Sequence, residues 1–337
     1  MTAKIVDVVI IGGGPAGLYA AFYGGLREMS VTILEAQEQL GGKLSFYPEK
    51  FIWDIGALPP TKGKQIKDNL IAQAKTFEPT IFTDTKVNTI VKKNDLFYVI
   101  DEKQAVYPCR AVLFAIGGGI VTPIQLDIPI EKNAQSNIHY TFPEHSQIYG
   151  QKIIVTGGGN AALDYANECL SLGCEVSLVY RGKHLKALEK NVSRFIQNGG
   201  RLYLEHTITS VSKDQDQLKI AVKENNELFY CEHLIVQYGH TRDSRLLKDL
   251  SFDFMKEDDF YLYCQQPTLT NVPGIFAAGD IHRSVGKLGL LAGAFQDGAS
   301  SMNQIKSYLS PESPDFGVVS SHNHKFDDKN QKLATNL

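Results

Sequence analysis

The sequence lacks the features that mark several broad classes of protein. Its five cysteines are an odd number and none forms a Cys-x-x-Cys pair, so a secreted disulfide scaffold is not expected and a reducing cytosol is the default. Its 34 Lys and Arg do not outnumber its 37 Asp and Glu, whereas a nucleic-acid-binding protein usually carries a basic excess. No apolar run approaches the ~18 residues of a membrane-spanning helix. No signal peptide is expected, because the N-terminus passes directly into a strand-like segment.

What is present is a chain of 337 residues, 43% of them hydrophobic and 21% charged. This composition is ordinary for a globular protein and argues against a disordered or fibrous chain. At ~100–200 residues per domain, the length predicts two domains. We therefore expect a cytoplasmic two-domain protein with neither a nucleic-acid nor a membrane partner.

A glycine-rich turn follows the first predicted strand. Val6–Ile11 is almost entirely apolar and β-branched, which is typical of a parallel strand buried on both faces. In the G-x-G-x-x-G turn that follows, Gly12 permits the tight bend, Gly14 lets the backbone approach a pyrophosphate, and Gly17 lets helix and strand pack closely. Glu35 ends the second strand, where it can accept hydrogen bonds from ribose hydroxyls and would repel a 2′-phosphate. A dinucleotide site is predicted, with a purely structural turn as the alternative.

The pattern recurs 145 residues later with one decisive difference. Its turn contains Gly157, Gly159, Asn160 and Ala162. Tyr180 stands where the first unit has Glu35, and the cations Arg181, Lys183 and Lys186 follow it. One charge-assisted hydrogen bond to a 2′-phosphate is worth ~1.5–3 kcal/mol, or roughly a ten- to hundredfold preference for NADPH over NADH. The two unlike turns predict FAD in the first site and NADPH in the second; a solvated basic loop is the alternative for the second.

Two further repeated signals suggest how the chain is divided. Ala111–Gly117 and His233–Gly239 are each a buried strand ending in glycine, and each is expected to mark a crossing between domains. Asp280 follows a third such strand, at the sheet edge where ligands bind in folds of this kind. The predicted fold class is α/β, with two Rossmann-like, three-layer nucleotide-binding domains. Residues 1–117 and 241–337 are assigned to the FAD domain, and residues 118–240 to an inserted NADPH domain.

At this point the sequence resembles the low-molecular-weight flavin disulfide reductases over nearly its whole length. Further local features are Gly41-Gly-Lys-Leu-Ser45, Tyr47-Pro-Glu-Lys50, Gly279-Asp-Ile281, Gly286-Lys287 and a C-terminal extension over residues 311–337. In these features the sequence most closely resembles the thioredoxin-reductase-like ferredoxin–NADP⁺ reductases. Thioredoxin reductase itself needs a Cys-x-x-Cys pair. This chain offers only Cys169 and Cys174, which we expect to be too far apart and to act as small buried hydrophobes. The bacillithiol-disulfide reductases have a cysteine where Ala16 stands here.

The resemblance implies roles for particular residues. FAD would be bound by Gly12, Gly14, Gly17, Glu35, Gly42, Lys43, Tyr47, Val87, Val121, Asp280 and Ser321. NADPH would be bound by Gly157, Gly159, Asn160, Ala162, Arg181 and Lys186. Tyr47 would stack on one face of the flavin. Ser321, or its neighbour Ser320, would approach the reactive edge from the tail of the other subunit of a homodimer. These three residues flank the flavin, and no side-chain acid or base is needed.

Four departures from the family pattern accompany these matches. Lys43 replaces a glutamine near the flavin, and Gly182 stands where a second arginine is common. Val121 occupies a position that is often aromatic, and Val319 falls where the family places an aromatic residue or histidine over the second flavin face. Phe316, His322 and His324 are the other candidates for that ring.

The resulting hypothesis is hydride exchange between NADPH and FAD, followed by single-electron transfer to a ferredoxin or flavodoxin. The alternatives are a disulfide or peroxide reductase working through Cys169 or Cys174, a non-catalytic NADPH sensor, and a quinone reductase. A membrane-bound quinone reductase is disfavoured, because the polar tail over residues 327–332 has no amphipathic face. No metal site is expected, because His322-x-His324 lacks an evident third ligand.

Overall fold

The computed structural model describes residues 4–224, 227–243 and 245–334, and the chain divides into two compact units. Unit 1 comprises Met1–Ser45, Phe51–Ile120 and Asp243–Leu337. Unit 2 comprises Phe46–Lys50 and Val121–Arg242. The long segment of unit 2 begins three residues after the predicted boundary at 118 and ends two residues after the predicted boundary at 240. The short segment of unit 2 interrupts the stretch that the sequence assigns to one domain.

The helices of the chain vary from one turn to more than five turns. In chain order they are α1 (Pro15–Leu26), α2 (Gly63–Ala74), α3 (His145–Ile148), α4 (Asn160–Ser171), α5 (Glu189–Gln197), α6 (Leu246–Asp249), α7 (Leu291–Leu309) and α8 (Asp327–Ala334). None of the helices in the described ranges combines the length and the apolar character that crossing a bilayer requires.

Unit 1 is built on a mixed seven-stranded sheet. Its strands are Val6–Ile11, Val31–Leu34, Thr80–Phe82, Val87–Lys93, Leu96–Asp101, Val106–Phe114 and Ile275–Ala277. The first strand lies at the centre, parallel to its neighbours, with Val8 opposite Val31 on one side and Ala111 on the other. Its last four residues are buried, as expected for a strand covered on both faces.

The helices α1 and α7 pack against each other on one face of this sheet. Ala20 of α1 and Met302 and Ile305 of α7 are fully buried there, in one core cluster with Val8 and Ile10 of the central strand. The other face is covered by a second cluster, which contains Leu247 of α6. The sheet is therefore enclosed on both sides, and its carboxyl-terminal edge is the one that presents the glycine turn.

Unit 2 repeats the arrangement on a smaller scale. Its parallel five-stranded sheet has the order Ile138–His139, His233–Val236, Lys152–Thr156, Glu175–Tyr180 and Arg201–Leu204. An antiparallel sheet follows, made of Ile208–Asp214, Gln217–Val222 and Leu228–Cys231. α4 and α5 cover the parallel sheet, and Phe195 of α5 is fully buried with Ile153 and Leu178.

Several short strands complete the structure. Phe51–Ile52 pairs with Thr61–Lys62, Ile120–Pro123 with His240–Asp243, and Tyr261–Tyr263 with both Lys256–Glu257 and His282–Arg283. The second of these pairs carries the chain into unit 2 and back out of it. The two crossings therefore run side by side.

Candidate functional site

The glycine turn of unit 1 requires glycine at position 17, in the first turn of α1. A Cβ atom at Gly17 would lie 2.0 Å from the carbonyl oxygen of Gly12 and 3.3 Å from the Cβ of Ala115. Gly14 is the N-cap residue of α1 and caps it with no side chain. The first-turn N–H groups of a helix have no partner within the helix, so the turn presents backbone donors and the positive end of the α1 dipole to an anion.

Glu35 supports this turn by hydrogen bonds to backbone N–H groups. Its side chain is buried; Oε2 accepts a hydrogen bond from the Gly13 N–H at 2.6 Å, and Oε1 accepts one from the Gln37 N–H at 2.8 Å. Burial raises the pKa of Glu35, and these backbone hydrogen bonds act against that rise. Each carboxylate oxygen can accept a second hydrogen bond, so Glu35 can brace the turn and still accept from a ribose hydroxyl. The Thr85 N–H donates to the carbonyl of Glu35 at 2.9 Å, which brings the segment leading to the buried Val87 next to Glu35.

A second loop completes the surroundings of the turn. The Gly41 N–H donates to the carbonyl of Gly13 at 2.8 Å, and a Cβ at Gly42 would lie 3.0 Å from the Cα of Gly14. Lys43 then reaches Asp280, with 2.6 Å between Nζ and Oδ2, and both side chains are partly exposed. The structure thus gathers most of the predicted FAD-binding residues of unit 1 around one turn: Gly12, Gly14, Gly17, Glu35, Gly42, Lys43, Val87 and Asp280.

The glycine turn of unit 2 has the same backbone with different side chains. Gly157 has a φ of +144°, and a Cβ there would lie 2.3 Å from the carbonyl oxygen of Gln237. Ala162 occupies the position equivalent to Gly17, at the start of α4. The ring of Tyr180 lies against Gly158, where a Cβ would be only 2.4 Å from it. Apart from its chain neighbours, no described atom lies within 4 Å of a Cβ placed on Gly159, which leaves room for a phosphate.

The basic loop of unit 2 is tied to this turn at two points. The Lys186 N–H donates to the carbonyl of Gly158 at 2.7 Å, and the Leu188 N–H donates to Oδ1 of Asn160 at 2.8 Å. Arg181, Lys183 and Lys186 are all exposed. Three cations are therefore held beside the turn, at the end of the strand where the first unit carries Glu35.

Two predicted flavin-binding residues belong to unit 2. Tyr47 lies in the short segment, 47% exposed, with Nζ of Lys50 5.6 Å from the centre of its ring. The hydroxyl of Tyr165 donates to the carbonyl of Phe46 at 3.4 Å, which helps to hold this segment in unit 2. Val121 is the first residue of the long segment and is half-buried. The roles of Tyr47 and Val121 at the flavin stay predictions.

The serines of the C-terminal tail lie elsewhere in unit 1. Ser320 and Ser321 are exposed. The tail just beyond them is anchored beside the last turn of α1, where the ring of Phe326 packs 6.5 Å from that of Phe22 and Nζ of Lys325 lies 3.0 Å from Oε1 of Glu28. α1 has 12 residues and is therefore ~18 Å long, with the glycine turn at its opposite end. The structure does not bring these serines to the turn of their own chain.

One expectation about the cysteines is wrong and another is confirmed. Cys169 and Cys174 are not far apart: the Cys174 N–H donates to the carbonyl of Cys169 at 3.2 Å, because α4 ends in a tight turn between them. A hydrogen bond with Cys174, together with burial, raises the pKa of the Cys169 thiol. Both side chains are buried, as expected, with 0% and 5% of their surface exposed. The Cys174 thiol also donates to the carbonyl of Ile148 at 3.0 Å.

Comparison with known proteins places this geometry in a family. The model of the pyridine nucleotide-disulphide oxidoreductase family matches residues 6–298. Ferredoxin–NADP reductase 3 of Lysinibacillus sphaericus is 42% identical over 337 residues, which cover 98% of this chain and 97% of that protein. This chain belongs to the ferredoxin–NADP reductase family. Ferredoxin–NADP reductase 1 of Oceanobacillus iheyensis is 37% identical, with 98% and 97% covered.

Solved structures agree with the fold of this family. Thioredoxin reductase of Lactococcus lactis matches with a TM-score of 0.62 and 21% identity over 91% of this chain and 99% of that one. The bacillithiol disulfide reductase of Staphylococcus aureus matches with a TM-score of 0.59 and 20% identity, over 92% and 100%. At these identities the likeness shows the fold alone, and it confirms the prediction of two Rossmann-like domains.

The sequence did not reveal every group that this family member places near the first turn. His282, Lys287 and Asp297 form a buried ionic cluster directly behind the Gly279–Ile281 turn. Lys287 belongs to a local family match, but nothing in the spacing of the three residues indicates that they meet. The sequence likewise gives no sign of the contact between Lys43 and Asp280, which are 237 positions apart.

Proposed function

We propose that this protein couples the two-electron oxidation of NADPH to the single-electron reduction of a ferredoxin, through bound FAD. Bound FAD supplies the redox chemistry, because it takes up a hydride and releases electrons one at a time. The observation that carries the proposal is the pair of glycine turns with opposite charge beside them. One turn is braced by the buried Glu35, and the other is flanked by exposed cations.

The residues of unit 1 suit FAD. The bare N-cap at Gly14 lets a pyrophosphate approach the first turn of α1. Glu35 accepts from the adenosine ribose, and Asp280 accepts from the ribityl hydroxyls, next to the ammonium of Lys43. Lys43 adds a positive charge where the family commonly has a neutral amide, and the Asp280 carboxylate pairs with it.

The residues of unit 2 suit NADPH. Gly157 and Gly159 form the phosphate turn, with Asn160 and Ala162 opening α4 behind it. Arg181 binds the 2′-phosphate, with help from Lys186, whose backbone is tied to the turn. NADH carries no 2′-phosphate, so these cations favour NADPH by roughly ten- to hundredfold.

The remaining assignments concern the flavin surroundings and the assembly. Tyr47 stacks on one face of the flavin, and Val121 lies beside it. Ser321 or Ser320 reaches the flavin of the partner subunit in a homodimer. The anchoring of the tail at the far end of α1 supports this arrangement, because it keeps both serines away from the flavin turn of their own chain. A flavodoxin is the second electron partner that the proposal admits, and the cytoplasm is the proposed location.

The experiment that tests the proposal is stopped-flow reduction of the purified yellow protein by NADPH and by NADH, followed by anaerobic addition of oxidised ferredoxin. We expect fast bleaching by NADPH, slower bleaching by NADH, and rapid recovery of the yellow colour when ferredoxin is added. Protein that holds no FAD, or reduced protein that ferredoxin does not reoxidise, contradicts the proposal. Sedimentation equilibrium of the full chain, compared with a chain ending at Pro311, tests the homodimer and the contribution of the tail.

The disulfide- or peroxide-reductase alternative makes an opposite prediction. It requires Cys169 or Cys174 to react with a substrate, yet both thiols are enclosed in the core of unit 2. We expect the variant with both cysteines changed to serine to keep its NADPH-dependent ferredoxin reduction. Loss of that activity in a folded, FAD-containing variant would support the alternative.

A further inference from the structure

A buried cluster of three ionisable side chains lies in unit 1, outside the predicted sites. His282 is 0% exposed, Asp297 is 7% exposed, and only 12% of the Lys287 side chain is exposed. Oδ2 of Asp297 lies 3.1 Å from Nε2 of His282, forms an ion pair with Nζ of Lys287, and accepts the N–H of Gly279 at 3.0 Å. The Asp297 oxygen therefore meets two fixed donors, the Lys287 ammonium and the Gly279 N–H, and lies beside Nε2 of His282, which is also 3.1 Å from Nζ of Lys287.

The carboxylate of this cluster is stabilised by its neighbours. Burial acts to raise the pKa of Asp297, but hydrogen bonds and charge from His282 and Lys287 outweigh it, so the pKa lies below its usual value. The Asp297 carboxylate and the Lys287 ammonium therefore form an ion pair inside the unit, with the His282 ring beside them. A buried ion pair is often no more stabilising than apolar side chains of the same volume. Stability alone is therefore a weak reason for this cluster.

The position of this cluster next to the glycine turn is a stronger reason for its presence. Gly279 has a φ of +76°, and a Cβ on it would lie 2.9 Å from the Cβ of Ala16, in the first turn of α1. The next residue, Asp280, is the one whose carboxylate meets Lys43. The bond from Asp297 to the Gly279 N–H therefore fixes the Ala278–Gly279 peptide, one residue before Asp280 and beside the glycine turn.

We propose that Asp297 is a positioning residue for FAD: held by Lys287 and His282, it fixes the Gly279 N–H and with it the direction of the Asp280 carboxylate. This inference rests on the proposed function, since it concerns the same cofactor site. Lys287 acts by supplying the charge that allows a carboxylate at this depth. The His282 side chain makes a lateral contact with the same oxygen, and the His282 backbone N–H donates to the carbonyl of Gly279.

The test separates positioning from simple support of the fold. In Asp297→Asn the ammonium of Lys287 loses its counter-charge, so both the thermal stability of the apoprotein and its FAD affinity should fall. In the double variant K287M/D297L both charges are removed and no buried charge is left without a counter-charge, so the melting temperature should recover towards wild type. This variant should still bind FAD about ten- to hundredfold more weakly than the wild-type protein does, because the Gly279 N–H lacks its charged acceptor.

Two control variants test whether the effect on FAD affinity is specific to the Lys287–Asp297 pair. Lys64 and Asp68 form an exposed ion pair on α2, 3.1 Å apart, and K64M/D68L should leave FAD affinity unchanged. His282→Leu removes the lateral contact and should change FAD affinity by less than about threefold, a small loss on the scale of one neutral hydrogen bond. If K287M/D297L does not fold, K287M/D297N carries the same test, since a neutral amide accepts the Gly279 N–H more weakly than a carboxylate does.

A double-mutant cycle completes the experiment. Asp280→Asn measures what the directed carboxylate contributes to FAD binding. Combined with K287M/D297L, its effect should be less than additive, because both changes act through the same contact with FAD. Wild-type FAD affinity in K287M/D297L, or full additivity with Asp280→Asn, would overturn the positioning role. Failure of the wild-type chain to bind FAD would instead contradict the proposed function itself.

Discussion

The two glycine turns of this chain share one backbone arrangement and use opposite chemistry to support it. In unit 1 the second glycine of the turn, Gly13, donates its N–H to the buried carboxylate of Glu35. In unit 2 the equivalent Gly158 lies under the ring of Tyr180, and the following residue is the exposed Arg181. A carboxylate supports the turn by a hydrogen bond, whereas an aromatic ring supports it by packing.

This difference supports the proposal that the two units prefer different nucleotides. In that proposal, the carboxylate that braces the first turn also repels a 2′-phosphate by its charge. The Tyr180 ring that supports the second turn is neutral, so no carboxylate at this position offsets the charge of the basic residues that follow it. In the proposed function, support of the turn and choice of nucleotide thus depend on the same position of each unit.

The largest effect is expected from Gly17→Ala. A Cβ at this position would lie 2.0 Å from the Gly12 carbonyl oxygen, so α1 must shift away from the turn. The N–H donors of α1 then lose their alignment with a pyrophosphate, and we expect FAD affinity to fall by more than about a hundredfold. Titration of apoprotein with FAD, followed by flavin fluorescence, measures the change.

Its counterpart in the second turn is Ala162→Gly. The structure already accommodates a side chain at this position. The substitution should therefore lower the free energy of unfolding by only ~1 kcal/mol, as for a glycine placed in a helix, and should hardly change FAD affinity. If Gly17→Ala binds FAD normally, the close approach of α1 is not what the first turn requires.

The second prediction removes a cation from the second turn. Arg181→Ala should lower the ratio of kcat/KM for NADPH to that for NADH by about ten- to hundredfold, because one charge-assisted hydrogen bond is lost. The value for NADH itself should hardly change. Lys190→Ala, which removes an exposed cation on α5, is the matched control. An unchanged ratio in Arg181→Ala would leave the 2′-phosphate to Lys183 or Lys186.

Much of this comparison could be predicted from the sequence, because it depends on local patterns. The strand before each turn, the turn itself and the residue at the end of the second strand are consecutive or close in the chain. Their roles follow from the geometry of a single βαβ unit. The strands Val6–Ile11 and Val31–Leu34 have the bounds that the apolar runs indicate.

What the sequence could not show depends on contacts between distant segments. Lys43 meets Asp280, and Asp297 meets Gly279, only because two loops and α7 converge on the start of α1. Residues 46–50 join unit 2 although their chain neighbours on both sides belong to unit 1. Hydrophobic periodicity reports which face of an element is buried, not which partner it meets.

The third prediction concerns the brace of the first turn. Glu35→Gln keeps one acceptor oxygen but removes the charge, so one of the two backbone hydrogen bonds is lost and the other is weakened. We expect FAD affinity to fall by about three- to tenfold, or ~1 kcal/mol. Glu38→Gln, a change of an exposed carboxyl three residues away, is the control. Equal FAD affinity in the two variants would show that the brace contributes nothing to binding.

The last prediction concerns acid, which is expected to act in opposite directions on the two units. Burial, and then the neighbouring His233, lower the pKa of His139 to about 4, with 2.9 Å between Nε2 of His139 and Nδ1 of His233. The unfolded chain takes up this proton near pH 6.5, so unit 2 should lose stability as the pH falls from about 6.5 to about 4. In unit 1 the raised pKa of Glu35 acts in the opposite direction, since its stabilising effect is lost as the pH rises through that pKa.

Hydrogen exchange of peptides from strands Ile138–His139 and His233–Val236 measures this response within unit 2. We expect the opening free energy there to fall by about 1–2 kcal/mol between pH 7 and pH 4.5, after allowance for the partial exposure of His139. His139→Asn should flatten that dependence, whereas His184→Gln, at an exposed position of the basic loop, should leave it unchanged. A dependence that persists in His139→Asn would assign the acid sensitivity of unit 2 to groups other than the His139–His233 pair.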